Sequence, residues 1–344
     1  MIIKDALHLI LNGTTLSRDQ SAALFHQIMA GEATEAQIAA VVMGLATRGE
    51  TPAEIAGAAD AMRAHATKVH TDAAPLVDTC GTGGSGQKLF NISTASAFVV
   101  AASGAYVAKH GNRKMTSTSG SADVLEAAGV NLALTPDAIT QCIEQTGVGF
   151  MFAQAHHSAM RHAGPVRQQL GVRTLFNVLG PLTNPAGAPN QVIGVFAAGK
   201  QRLLAEVLEL LGSRHVLVLH SDGLDEIRLD APTQIVEMKE GTYSEYSVSP
   251  EDFGIASRSI EALRAADTDG SLALLKQSLT EPDSAAADIV SLNAGAAIYA
   301  AGVATSFKHG VTMAQDAIAA GLAKERFTEF VRLTQLLKDR DADQ

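Results

Sequence analysis

Two runs of this chain hold residue types suited to gripping a polyanion. The first is Gly81-Thr82-Gly83-Gly84-Ser85-Gly86-Gln87-Lys88-Leu89-Phe90-Asn91-Ile92-Ser93-Thr94; the second is Lys109-His110-Gly111-Asn112-Arg113-Lys114-Met115-Thr116-Ser117 and its continuation to Ser119, Ser121 and Asp123. Helix starts present unpaired N–H groups, and glycines let backbone approach a ligand closely; with Lys88, Lys109, Arg113 and the hydroxyls, both runs suit phosphate oxygens. Two such runs aimed at one place suit a ligand with two phosphates. The segment from Gly81 to Gly86 satisfies G-x-G-x-x-G literally, but a dinucleotide fold begins its helix within the glycines and ends the next strand in an acid. Here the helix is expected several residues later, and the next strand ends in Lys109-His110. A Walker loop is excluded by the extra Gln87 and by the missing hydroxyl after Lys88.

The elements that must position these residues are two consecutive strand, loop, helix units. Strands are expected over 76–80 and 105–109, an Ala- and Val-rich buried helix over 93–102 with Asn91, Ser93 or Thr94 at its start, and a second helix over 119–128. A buried strand over 149–153 leads to His156, His157 and His162, which suggest metal at first sight. Adjacent helical residues do not share a face, however, and no Asp, Glu or Cys lies nearby, so a histidine lining an aromatic or carbonyl-bearing substrate is the better reading. Arg167 follows His157 by ten residues, close to three helical turns, so the two face one pocket provided the Gly164-Pro165 break does not redirect the chain. Its planar fork suits a carboxylate or phosphate.

Residues 177–185, rich in Gly and Pro, read as a crossing between domains rather than as an element. Strands over 191–196 and 215–220 with a helix over 202–211 between them make a parallel βαβ unit. It ends in Ser221-Asp222-Gly223-Leu224-Asp225-Glu226, where open α/β sheets place ligands. An acidic pair opposite a diphosphate is suited to Mg²⁺, which takes one or two carboxylates plus phosphate oxygens and water. A hairpin around Gly241 (234–238 with 243–248) and C-terminal helices, including the Ala-rich stretch 292–304, carry no chemical signature and read as framework.

The first 70 residues read as purely helical. Three capping boxes, Ser17-x-x-Gln20, Thr34-x-x-Gln37 and Thr51-Pro52-x-Glu54, open helices, and Gly13, Gly31 and Gly49 fall where helices should stop. Leu24 with Ile28, and Ile38, Val42 and Leu45, lie on single faces. A chain of 344 residues that is 47% hydrophobic supports a large α/β domain plus a smaller one. Its formal charge of -10 argues against a nucleic-acid partner while leaving room for a local basic pocket. Two cysteines in no metal or redox spacing, with no targeting or membrane segment, lead to the expectation of a reduced, cytoplasmic protein.

Taken in order, Gly81-Thr-Gly-Gly, Asn91-Ile-Ser-Thr94, Lys109-His-Gly-Asn-Arg113, Gly120-Ser-Ala-Asp123, Gly180-Pro-Leu-Thr-Asn-Pro185 and Asp222-Gly-Leu-Asp-Glu226 closely resemble the anthranilate phosphoribosyltransferase family of tryptophan biosynthesis, over essentially the whole chain. The resemblance implies a homodimer and a fold related to the pyrimidine nucleoside phosphorylases. A small all-helical N-terminal domain (1–70 plus about 162–188) would be hinged to a larger α/β domain (71–161 and 189–344) with a mixed, mainly parallel central sheet flanked by helices. It implies transfer of the phosphoribosyl group of 5-phosphoribosyl 1-diphosphate (PRPP) to anthranilate, with Mg²⁺, two ions per subunit when PRPP is bound. The residues matching the family's PRPP positions are Gly81, Gly84, Ser85, Leu89, Asn91, Ile92, Ser93, Thr94, Lys109, His110, Gly111, Asn112, Arg113, Lys114, Met115, Thr116, Ser117 and Ser121. Those matching its anthranilate positions are Gly81, Asn112 and Arg167, with His110 and His157 nearby; those matching its Mg²⁺ positions are Ser93, Asp225 and Glu226. Many members carry Asp where this chain has Ser85 and Thr where it has Leu89, which removes a charge and a hydroxyl beside the diphosphate. A pyrimidine nucleoside phosphorylase is the related alternative, against which Asn112 and the Asp225-Glu226 pair speak. A non-enzymatic nucleic-acid-binding relative would have lost the glycine loop and gained a basic surface, and neither change is seen.

Overall fold

The computed structural model describes residues 2–83, 86–113 and 119–342. Four helices open the chain: α1 (Ile3–Leu11), α2 (Arg18–Met29), α3 (Glu35–Arg48) and α4 (Pro52–Ala64). Each of the three expected capping boxes is formed, with the Ser17, Thr34 and Thr51 side chains accepting from the N–H three residues on. This satisfies donors that the helix itself leaves orphaned. Glu54 does more than close its box. Fully buried, it also accepts the Leu16 N–H at 2.8 Å and pairs with Arg48, so one carboxylate joins α3, α4 and the turn before α2.

The rest of the chain is built on a seven-stranded sheet: β1 (Leu76–Gly81), β2 (Tyr106–Gly111), β3 (Val148–Phe152), β4 (Asn190–Gly194), β5 (His215–His220), β6 (Thr233–Lys239) and β7 (Thr242–Val248), in the order β3-β2-β1-β4-β5-β6-β7. The first five pair in parallel, and the hairpin β6–β7 adds antiparallel strands at one edge. Strand order therefore runs outward in opposite directions from β1 and β4. Such a reversal opens a crevice at the strands' C-terminal ends, because the following loops leave toward opposite sides.

Alternation along each strand assigns the two faces. On β5, Leu217 and Leu219 join a core with α5 (Ile92–Ala102), α6 (Ser121–Ala127) and the C-terminal helices, while Val216 and Val218 join the N-terminal bundle. At the far end of the sheet, Leu76, Ala108 and Met151 pack on Ile139 and Ile143 of α7 (Pro136–Thr146). After β3 come α8 (Ala153–His156), a 3₁₀ turn at Ser158–His162, α9 (Gly164–Leu170) and α10 (Phe176–Leu182). Ala163, Val166, Leu175, Phe176, Leu179 and Leu182 of this region share the core of the N-terminal helices. That core continues through α11 (Gln201–Leu210) onto the sheet. The closing helices are α12 (Thr268–Ser278), α13 (Ala285–Ala300), α14 (Phe307–Ala319) and α15 (Leu322–Ala342).

Two local expectations need correction. Residues 177–185, expected to form no element, contain most of α10, with Pro181 inside it. Proline lies one residue from the end of that helix, where it forgoes a single backbone bond, and buried Phe176, Leu179 and Leu182 outweigh the loss. The stretch from His157 to Arg167 is not one helix. His157 leaves helical geometry at φ -117°, ψ 55°, and the chain restarts as the 3₁₀ turn and then α9.

Candidate active site

A cavity of about 710 Å³ lies at the C-terminal ends of β1, β2 and β4, where the strand order reverses. Of the residues singled out from the sequence, Gly81, Leu89, Asn91, Ile92, Ser93, Lys109, His110, Gly111, Asn112, Arg113, Ser121, His157, Arg167, Asp225 and Glu226 line it. Gly84, Ser85, Lys114, Met115, Thr116 and Ser117 lie outside the described residues. Thr94 sits beside the cavity rather than on its wall, buried in the first turn of α5 with its N–H donated to Asn91 O at 3.1 Å.

At one end the charges are concentrated and largely buried. Lys109, 3% exposed, donates from Nζ to Thr79 O at 2.6 Å and to Ser93 Oγ at 3.2 Å. Burial pulls its ammonium below the usual lysine range, and the strongest opposing influence is the negative charge of Asp78. Asp78 itself is fully buried, accepting from the His110 N–H at 3.2 Å and from Asn184 Nδ2 at 2.7 Å. Its carboxyl is raised by burial and held back chiefly by Lys109. Asp78 opens the stretch that the sequence brings forward, but its spacing assigned it no role, because its pairing with Lys109 arises across neighbouring strands.

Asp225 and Glu226 face this ammonium from the loop after β5. Asp225 Oδ2 accepts the Gly83 N–H at 2.9 Å, and a Cβ added to either Gly81 or Gly194 would run into Asp225. Gly81 and Gly194 are direct partners across β1 and β4, so two glycines side by side make the seat for one residue, Gly81 facing its carboxylate and Gly194 its backbone. Burial and then the neighbouring Asp225 charge push the Glu226 carboxyl up to about 8, although Lys109 and hydrogen bonds from Ser93 oppose the rise. Two adjacent carboxylates and a serine hydroxyl are a hard-oxygen set short of positive charge, which fits Mg²⁺. No cluster of three or more His, Cys, Asp or Glu side chains able to hold a metal occurs among the described residues. The remaining ligands would come from a diphosphate and water.

The helix starts are braced from the side. Asn91 Oδ1 accepts from Ser119 Oγ at 2.8 Å and from Ser271 Oγ at 2.7 Å, tying the beginning of α5 to that of α6 and to α12. Arg113 is held by Glu126 and Asp123 and stacks near Phe152 with 5.5 Å to the ring centre, so part of its charge is already spoken for.

Apolar and aromatic side chains share the wall with further cations, Arg161 and Arg173 among them. Met62 of α4, Met160, Phe176 and Pro181 line the cavity beside His110, His157 and Arg167. His110 Nδ1 lies 3.1 Å from Gly180 O, which assigns it the proton and leaves Nε2 as an acceptor; that Nε2 is buried with no partner among the described residues. Burial, with the neighbouring His157, lowers the His110 pKa to about 3, and burial likewise takes His157 to about 4, so both rings are neutral at neutral pH. Arg167 is half-buried, its Cζ 5.8 Å from the centre of the Phe176 ring, and no carboxylate pairs with it among the described residues. The helical register expected to align His157 with Arg167 is absent, yet the turn between them folds both into the same cavity.

Comparisons with known proteins agree with this geometry. Residues 73–324 match the family model described as the glycosyl transferase family, a/b domain, and residues 4–66 match the helical bundle domain of that family. An anthranilate phosphoribosyltransferase from Saccharophagus degradans is 55% identical over 341 residues, covering 98% of this chain and 100% of that protein. One from Stutzerimonas stutzeri is 52% identical over 346 residues, covering 99% of each. The crystal structure of anthranilate phosphoribosyltransferase from Thermus thermophilus superposes with a TM-score of 0.92 at 42% identity, covering 96% of this chain and 99% of that one. The enzyme from Saccharomyces cerevisiae in complex with PRPP and Mg shares the fold, with a TM-score of 0.87 at 22% identity over 97% and 98% of the two chains. Whole-length identity to such relatives, on top of a cavity lined by charged and aromatic side chains, places the chain in the anthranilate phosphoribosyltransferase family.

Proposed function

We propose that this chain transfers the 5-phosphoribosyl group of PRPP to the amine of anthranilate, giving N-(5-phosphoribosyl)anthranilate and diphosphate, the second step of tryptophan biosynthesis from chorismate. The observation that carries the reading is the division of one cavity into a charged end around Lys109, Asp225 and Glu226 and an aromatic end where Arg167 has no carboxylate partner among the described residues. In the reaction the C1–O bond of PRPP breaks, the diphosphate leaves with the electron pair, and the amine lone pair forms the new N–C1 bond. Negative charge therefore grows on the leaving group while positive charge grows at C1. The buried ammonium of Lys109, on the cavity wall, supports its stabilising the departing oxygens. Bound at Ser93, Asp225 and Glu226, Mg²⁺ would neutralise diphosphate charge. The yeast enzyme of the same fold has a solved structure in complex with PRPP and Mg, and two ions per subunit is our expectation here.

Anthranilate needs little activation, because its aromatic amine is already neutral. The protein's main contribution at that end is position. Arg167 binds the carboxylate through its planar fork, Asn112 and Gly81 border the path to C1, and His110 Nε2 accepts a hydrogen bond from the amine, whose proton is lost after attack. Arg167→Ala raises the KM for anthranilate about 10- to 100-fold while moving the KM for PRPP little. Steady-state kinetics with each substrate varied in turn check this, and equal effects on both would refute the assignment.

The shared core of the N-terminal helices with α9 and α10 supports a helical domain of residues 1–70 plus about 162–188, hinged to residues 71–161 and 189–344. Leu11 at the end of α1 and Val172 after α9 expose large apolar side chains on that domain, where we place the contact of a homodimer. No described helix is long and apolar enough to cross a membrane, in keeping with a cytoplasmic setting. The reaction is tested by following the loss of anthranilate fluorescence on mixing purified protein with PRPP, with and without Mg²⁺. Loss that requires both, with diphosphate released in equal amount, is expected; no loss at high enzyme concentration would move the acceptor to another amine or base.

A further inference from the structure

The C-terminal region, which carries no chemical signature in the sequence, reaches back to the second limb of the glycine-rich loop. Phe90 N–H donates to Leu263 O at 3.0 Å and Ala265 N–H donates to Lys88 O at 2.9 Å, so Leu89 and Arg264 form an isolated antiparallel bridge. Arg264 extends the contact by donating from Nη1 to Gln87 O at 3.0 Å and from Nη2 to Gln87 Oε1 at 3.4 Å. Glu261 holds the guanidinium in that pose, with Oε2 2.8 Å from Nε and Oε1 2.9 Å from Nη2. Farther along, Ser271 is fully buried; its Oγ donates to Asn91 Oδ1 and accepts the Asn91 N–H at 3.1 Å. Each residue from Gln87 to Asn91 is thus tied to the segment 261–271.

Lys88 shows why such a tie is needed. It adopts φ +54°, a conformation that disfavours any residue with a side chain, and its carbonyl is fixed by Ala265. Lys88, Leu89 and Asn91 all line the cavity, whereas Leu263, Arg264 and Ala265 do not line it at all.

We propose that residues 261–271 are a strap that pre-forms the second limb of the loop for the ribosyl donor, and that Arg264 is a positioning residue acting through Gln87 and Lys88. The inference rests on the reading of this cavity as the PRPP site. Without the strap, the limb would have to be ordered at each binding event, and the lost conformational entropy would weaken donor binding. The acceptor end lies at the opposite side of the cavity and should not respond.

Because Arg264 is partly exposed and its ion pair with Glu261 lies at the surface, its replacement leaves the fold intact. In the full-length protein, Arg264→Ala is expected to raise the KM for PRPP about tenfold with kcat, the anthranilate KM and Tm nearly unchanged. Arg264→Lys, which can still reach Gln87 O, should recover part of the loss. Hydrogen exchange over residues 87–91 should be faster in Arg264→Ala than in wild type. A PRPP KM within about twofold of wild type, or a parallel rise in both KM values with a lowered Tm, would overturn the proposal. Were the wild-type chain not to consume anthranilate, calorimetric titration with PRPP makes the same comparison. A tenfold weaker PRPP affinity in Arg264→Ala would uphold the strap, and equal affinity would overturn it.

Discussion

Lys109→Met lowers kcat/KM on the order of a thousandfold, because it removes the buried cation that we assign to the departing diphosphate. Methionine keeps the length and apolar character of the stem, so the change removes the charge and the two hydrogen bonds to Thr79 O and Ser93 Oγ. The same substitution exposes the second role of this lysine. Asp78 keeps its hydrogen bonds from His110 N–H and Asn184 but loses the charge that most favours its ionised form. Stranding a buried charge in this way costs about 3–5 kcal/mol.

The pH dependence of that cost has a definite sign. The Asp78 carboxyl is already raised by burial in the wild type, and without Lys109 it rises further. The folded variant then binds a proton more readily than the unfolded chain does, so its stability falls as pH rises through the folded pKa and recovers as pH is lowered below it. Thermal unfolding of Lys109→Met relative to wild type should therefore show a deficit at neutral pH that shrinks in acid. Adding Asp78→Asn should return much of the Tm at neutral pH without returning activity. A single variant with wild-type kcat/KM would remove Lys109 from the first role, and a Tm deficit independent of pH would remove it from the second.

Asp225→Asn and Glu226→Gln are expected to reduce kcat by on the order of a hundredfold each and to raise the Mg²⁺ concentration needed for half-maximal rate. Amide replacements preserve shape and, for Asp225, an oxygen able to accept the Gly83 N–H. What they withdraw is negative charge at the two positions that fit the ion. The check is the rate as a function of Mg²⁺ at saturating PRPP, together with PRPP titrations at low and high Mg²⁺. Weakening should appear in the Mg²⁺-dependent part of PRPP binding while the anthranilate KM is nearly unchanged. Unchanged Mg²⁺ dependence in both variants would count against the pair as metal ligands. Gly194 supplies a control of another kind: any side chain there displaces Asp225 through its backbone rather than its charge.

Local chemistry made the helix starts legible from the sequence. A capping box closes within four residues, so Ser17 with Gln20, Thr34 with Gln37 and Thr51 with Glu54 could be read directly, as could the glycine run ahead of α5 and the parallel unit β4-α11-β5. The charged residues of the donor end stood out for the same reason, lying in two short runs and one acidic pair. Tertiary structure decided everything that depends on which strands are neighbours. With β1 beside β4, Gly81 and Gly194 become one seat for Asp225. Asp78 becomes the counter-charge of Lys109 through burial, and Arg264 meets Gln87 across a separation of 177 residues. The turn between His157 and Arg167 and the proline inside α10 likewise follow from apolar side chains seeking the N-terminal core, an energy larger than the local preference for a break. Short-range hydrogen bonding is written in spacing along the chain, whereas burial and charge pairing between distant segments exist only once the sheet has chosen its order.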